Sequence, residues 1–238
     1  MENVKILRYD GSLNGFLCAI YRAFESKLRV IDIQKSEKAQ KGLFTEVETI
    51  ITDVNKARRV WIGIQKKNNA AIKNIYFSFL SESKGIELLL YKYICSLYNT
   101  TSDTESEEEL QTIRIKLYQY SGMVSREKLR IESIAKFRVS QDGIYFSAVS
   151  PYYDVLPLLS KYYRSKFPNK AFAIYDLKRR YAVFYDLETT QIIRTDLSNI
   201  QSIGPLSKTN LKPLIKRELF THDYTPHATS FFSEKEAV

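Results

Sequence analysis

The stretch AIYDLKRRYAVFYDLE, Ala173 to Glu188, restricts the fold more than any other part of the chain. Apolar and aromatic residues fill two short arms, and Lys178, Arg179 and Arg180 stand between them. Arms of this kind joined by so short a link pair as a β-hairpin, which places an antiparallel sheet in the second half of the chain. QIIRTDL is a third strand, and DGIYFSAVS is a turn followed by a strand. The hairpin also raises a question, because three cations at its tip repel one another unless something anionic faces them.

The first half follows a helical period. VKILRYDGSLNGFLCAIYRAFES reads strand, turn, helix, with Asp10-Gly11 as the turn and Ser12 as the cap. Leu13, Phe16, Leu17, Ile20, Tyr21 and Phe24 then form one apolar stripe. LRVIDI and EVETIIT are short strands, and Asp53 caps VNKARRVWIGIQKK, where Val54, Ala57, Val60, Trp61 and Ile64 recur helically. AAIKNIYFSFLSES and GIELLLYKYICSLYN are two more helices. NTTSDTESEEELQT carries acids and no cation, so it is either a flexible connection or the acidic first turn of the next helix. LQTIRIKLYQYSGMVSREKLRIESIAKF predicts helix, a kink near Ser121-Gly122, then helix. DVLPLLSKYYRSKF sets Val155, Leu158, Leu159 and Tyr162 on one helical face. The fold class is α+β, with helices packed on a mainly antiparallel sheet and an irregular C-terminal extension. Residues 1–200 form a single domain with a soft boundary near 103, and residues 201–238 are an extension or tail.

Composition removes several kinds of chemistry. The two histidines, His222 and His227, both stand near the C-terminus, so no histidine is available in the body for a zinc core, a Ser-His-Asp triad or a Cys-His pair. Cys18 and Cys95 are too few for a thiolate-held iron–sulfur cluster, and both read as reduced core residues. No metal site and no cofactor is expected in this chain. No apolar run approaches the roughly 20 residues that span a bilayer, and the N-terminus does not read as a signal peptide, so no membrane association and a cytoplasmic location are expected. The glycines form neither G-x-G-x-x-G nor a Walker pattern.

The net charge of +9 points to a polyanion. Between Arg126 and Arg180 there are twelve cations against five acids, a surplus of seven, so most of the excess lies in this quarter of the chain. Tyrosines such as Tyr145, Tyr152, Tyr153, Tyr162, Tyr175 and Tyr181 are interleaved with them. Cations neutralise phosphates and aromatic faces stack on exposed bases, which makes nucleic acid, DNA first, the expected partner. Arg126, Arg130, Lys136, Arg138, Arg164, Lys178, Arg179 and Arg180 are the candidate binding residues; a half-buried sheet with a solvated surface is the plainer alternative.

Within VSREKLRIESIAKFR, Val124, Ile131, Ile134 and Ala135 share a helical face that also takes Glu127, while Arg126 and Arg130 point the other way. A carboxylate on an apolar face needs a partner or a raised pKa. Glu127 is therefore a candidate catalytic acid or half of a structural ion pair, with Arg138 in the matching direction if the helix extends so far. Asp176 is likewise a candidate acid or base, with Tyr175 beside it, or a neutraliser of Arg179. Tyr9, Asp10 and Gly11 form a site loop or simply a chain-reversing turn. Phe231 and Phe232, paired in a polar tail, are candidates for docking on a protein partner.

YDGSLNGFLCAIYRAFE, ITDVNKARRVW, REKLRIESIAKFR, YDVLPLLSKYYRSKF and AIYDLKRRYAVFYD together resemble, in that order, the DNA-metabolism protein family also called domain of unknown function 4130, over roughly residues 4 to 190. The resemblance implies a DNA repair or modification component that works beside a radical-SAM protein, whose iron–sulfur cluster and S-adenosylmethionine would sit in that partner. It marks Tyr9, Asp10, Gly11, Glu127, Arg130, Tyr175, Asp176, Arg179 and Arg180 as motif positions without assigning them roles. Two departures are visible: Leu129 stands where the family pattern has a histidine two residues after the acid, and Lys136 stands in IAKF where relatives carry arginine. An enzyme acting directly on DNA, as a nuclease or base-removing activity through Glu127 or Asp176, and a protein-docking module are the alternatives.

Overall fold

The computed structural model describes residues 4–36, 46–98, 106–140 and 143–194. Two compact units emerge, Met1–Val124 and Ser125–Val238. The soft boundary near 103, the extension over 201–238, and Phe231 and Phe232 lie outside the described residues.

In the N-terminal unit, β1 (Val4–Tyr9) is the middle strand of a three-stranded parallel sheet, flanked by β2 (Arg29–Lys35) and β3 (Glu46–Thr49). Helix α1 (Leu13–Glu25) forms the link from β1 to β2. It starts where the Ser12 hydroxyl accepts the Gly15 N–H at 2.9 Å. The Asp10 carboxylate accepts from the Ser12 N–H and hydroxyl and from the Thr52 hydroxyl, so Asp10 ties the turn to the segment after β3. A Cβ at Gly15 would collide with Asp10 Oδ1 and crowd Thr52 Oγ1, so a larger residue there would have to displace the Asp10 carboxylate from its bonds. Of the expected stripe, Phe16, Leu17 and Ile20 are buried and Leu13, Tyr21 and Phe24 half-buried, while Cys18, off the stripe, is buried as well. Helix α2 (Val54–Lys67) begins at Asp53, whose carboxylate accepts the N–H groups of Asn55 and Lys56, and it buries Ala57, Val60, Trp61 and Ile64 while Val54 stays exposed. Helices α3 (Ala71–Leu80) and α4 (Ile86–Leu97) complete the covering. Cys95, like Cys18, is buried. No helix among the described residues is long and apolar enough to cross a membrane.

Helix α5 (Glu107–Ile134) starts with a capping box, the Ser106 hydroxyl accepting the Glu109 N–H while the Glu109 carboxylate accepts the Ser106 N–H. The acidic run is thus partly a helix start. The expected kink at Ser121-Gly122 does not interrupt the helix. A mid-helix glycine costs about 1 kcal/mol, and burial of Leu117, Ser121 and Val124 on one side outweighs it.

The C-terminal unit holds a five-stranded sheet in the order β4 (Arg138–Val139), β5 (Tyr145–Val149), β6 (Phe172–Asp176), β7 (Tyr181–Tyr185), β8 (Thr190–Arg194). Three of its four pairings are antiparallel, as the hairpin requires. The exception, β5 with β6, is parallel and is bridged by α6 (Leu156–Lys166). Tyr163 on α6 is fully buried, with its ring 6.1 Å from that of Phe172, whereas Tyr162 is 39% exposed. The apolar face of α6 therefore includes Tyr163 in place of the expected Tyr162. On the other side of the sheet, Ala173, Tyr175, Ala182, Phe184 and Ile193 form an apolar cluster.

Candidate functional site

Three segments of the C-terminal unit meet at the carboxyl ends of β5 and β6: the last turns of α5, the loop Pro151–Asp154, and the β6–β7 turn. Alternation along β6 places Asp176 on the face opposite Tyr175, at the last strand residue, fully buried. Its carboxylate accepts the backbone N–H groups of Lys178 and Arg179, folding the turn back, and pairs with Arg179 Nη1 at 2.9 Å. Arg179 then reaches across to the loop, donating to the carbonyls of Pro151 at 3.3 Å and Tyr152 at 3.2 Å. Lys178 Nζ donates to the same Tyr152 carbonyl at 3.1 Å.

Helix α5 holds the other edge of the loop. Glu127 is buried, in line with Val124 and Ile131, and its partner is Arg130, which donates to both carboxylate oxygens at 2.7 and 2.6 Å. Arg138 is not that partner: the helix ends at Ile134, which is itself 49% exposed, and Arg138 lies exposed in β4. A three-residue step leaves Glu127 and Arg130 only about 60° apart around the helix, so the arginine stem folds back over the carboxylate instead of pointing away. Glu127 Oε1 also accepts the Tyr152 backbone N–H at 2.7 Å. The Arg130 hydrogen bonds, reinforced by the Tyr152 N–H and the nearby charges of Arg130 and Arg179, hold the Glu127 carboxyl below its ordinary value against the opposing effect of burial. The same pairing raises Arg130. Glu127 is thus engaged by Arg130, and Asp176 is likewise ion-paired with Arg179.

Tyr152 was not singled out from the other tyrosines by the sequence, yet it is the centre of this arrangement. The residue is 71% exposed, and the Arg130 guanidinium sits 5.3 Å from the ring centroid. The available signal was Ser-Pro-Tyr-Tyr-Asp directly after a strand, a composition typical of a turn. One step further, Tyr181 donates its hydroxyl to Asp154, closing the loop from the hairpin side, and burial together with that carboxylate raises the phenol pKa well above its usual value.

Five of the expected cations, Arg126, Arg130, Lys178, Arg179 and Arg180, belong to these segments. Arg126 and Arg180 are exposed, and Arg180 has φ 56, a left-handed backbone that favours glycine. The remaining three lie elsewhere. Arg164 on α6 stacks over Tyr185, at the far end of β7 from the turn and about 13 Å along the strand. Lys136 and Arg138 are exposed at the β4 edge, where Arg138 pairs with Phe146 near the start of β5. Tyr175 faces the apolar cluster, away from Asp176. Leu129 is 61% exposed on α5. A cavity of about 320 Å³, lined by Val139, Gly143, Tyr145 and Lys170 among others, opens at the opposite end of β5. In the N-terminal unit, Tyr9 is fully buried and donates to Glu87 at 3.1 Å; burial first, then the Glu87 charge, push its pKa up. Asp10 and Gly11, the latter with φ 87, make the turn described above.

A family model described as a domain of unknown function (DUF4130) matches residues 84–232. That span contains every residue of the loop clamp and leaves Tyr9, Asp10 and Gly11 outside it. No curated protein matches the chain.

Proposed function

The chain belongs to the family of domain of unknown function 4130, and from that premise we propose that its C-terminal unit binds nucleic acid as part of DNA repair or modification. One observation carries the reading. Cations more than 40 positions apart in sequence, Arg130 on α5 and Lys178 and Arg179 on the hairpin turn, converge on a single loop. Arg130, Lys178 and Arg179 all hold the loop. Lys178 and Arg180 at the turn and Arg126 on α5 are also exposed, and so add positive charge at the surface that phosphates would neutralise.

Motif resemblance supports DNA as the nucleic acid and a radical-SAM protein as the partner, and the cytoplasm is the place of action that this reading takes. In that arrangement the partner holds the iron–sulfur cluster and S-adenosylmethionine, and this chain positions the substrate. Titration of labelled single- and double-stranded oligonucleotides at low and moderate salt tests binding. Affinity should fall steeply with salt, and K178Q/R180Q should weaken it and flatten the salt dependence by about two phosphate contacts. Absence of binding to either form at low salt overturns the reading. Co-purification with a radical-SAM protein tests the partner separately.

A further inference from the structure

We propose that Tyr152 is a base-stacking plate, so that the ligand of this surface is an unpaired nucleobase, in a single strand or bulged from a duplex, and not intact double helix. The inference rests on the nucleic-acid reading above and specifies its substrate class.

A large exposed side chain is ordinary on a protein surface when it stands alone. Tyr152 differs in how it is held. Its N–H is fixed by Glu127, its carbonyl by Lys178 and Arg179, and the preceding carbonyl by Arg179 as well. Two ion pairs drawn from separate elements therefore order a residue that remains 71% exposed. Such fixing of a loop does nothing to bury the ring. What it does accomplish is to remove the entropy that a mobile aromatic would lose on binding, the usual benefit of preorganisation.

The surroundings of the ring specify the ligand. Arg130, itself locked in a fork on Glu127, covers one side at 5.3 Å. Stacking a base on the open side would complete an arginine–tyrosine–base column, and any base qualifies because each has a π-face. Base faces inside a duplex are already covered by their neighbours, so only an unpaired base can complete it. Lys178, whose Nζ reaches the Tyr152 carbonyl at 3.1 Å, is placed to take an adjoining phosphate.

Four ligands separate the possibilities when titrated against the full chain: a single strand, a matched duplex, a duplex with one bulged nucleotide, and an abasic strand with the same phosphates. Tighter binding of the single strand and the bulged duplex is expected. Y152A should weaken these two by roughly 5- to 140-fold, as loss of one stacked base implies. It should leave the abasic strand, the matched duplex and the salt slope unchanged. Y152F, which keeps the ring, should behave as the parent, and so should Y118A, since Tyr118 is equally exposed on α5 but is not part of the clamp. If the parent binds matched duplex or abasic strand as tightly as the single strand, or if Y152A leaves single-strand affinity unchanged, the stacking plate is refuted while nucleic-acid binding stands. Failure to bind any of the four overturns both.

Discussion

Glu127 Oε1 accepts the backbone N–H of Tyr152 at 2.7 Å, a bond across 25 positions of chain that joins the end of α5 to the loop after β5. With the Arg130 fork on the same carboxylate, it makes the ionised form of Glu127 part of the folded unit.

Acid should therefore loosen this unit. The folded pKa of Glu127 is lowered, so over the window between the folded value and the ordinary glutamate value, about 4.3, the unfolded chain binds more protons. The stabilisation is present in full above the ordinary value and is lost as pH falls through the folded one. E127Q keeps an acceptor for the Tyr152 N–H but loses the charge. It should cost about 1–3 kcal/mol at neutral pH and flatten the acid limb of stability, as read from urea unfolding between pH 7 and pH 3.

Breaking the second pair should be more damaging. Asp176 has no exposed surface, and Arg179 is its counter-ion. R179M leaves a buried carboxylate without its cation and removes two donors from the loop, an expected loss of about 3–5 kcal/mol. Denaturant midpoints with unchanged slope would establish it. D176N still accepts the turn N–H groups and should lose less.

At Arg180 stability and binding should move in opposite directions. The left-handed backbone there strains any residue with a Cβ, by about 1–2 kcal/mol, and the greater freedom of glycine in the unfolded chain offsets only part of the relief. R180G should raise stability by up to about 1 kcal/mol and weaken oligonucleotide binding. Thermal melts and titrations on the same preparation read both.

Alanine normally improves a helix over glycine by about 1 kcal/mol, and Gly15 should reverse that rule. Its added Cβ would collide with Asp10 Oδ1 and lie 2.9 Å from Thr52 Oγ1. G15A should destabilise the N-terminal unit by about 1–3 kcal/mol. Combining it with D10G should recover part of the loss, a coupling that a double-mutant cycle measures.

Features set by neighbours in sequence were legible before the fold was known. Ser12 and Asp53 cap their helices by reaching residues two or three positions on, and the hairpin arms carry their own turn. Glu127 announced itself because a carboxylate interrupts an apolar stripe. Its partner was misread because a helical wheel records where a side chain leaves the backbone, not how far an arginine stem can fold back. Tyr162 and Tyr163 differ by one position and 100° of helix, and only packing against Phe172 decides between them. The parallel pairing of β1 with β2 and β3 joins distant segments whose order no local pattern encodes. Tyr152 stayed hidden because its importance lies in bonds to its backbone, which its own side chain does not disclose.

The crossover between β5 and β6 also dictates when the loop becomes competent during folding. Glu127, Tyr152 and Arg179 arrive on three stretches separated by about 25 residues, and the parallel pair has to close across the whole α6 crossover. Nonlocal assembly of this kind comes late, since loop closure precedes its reward. A half-finished chain would carry the cations without the ordered loop, so under the proposed function a nucleic acid would select completed molecules and, by mass action, shift the population towards them.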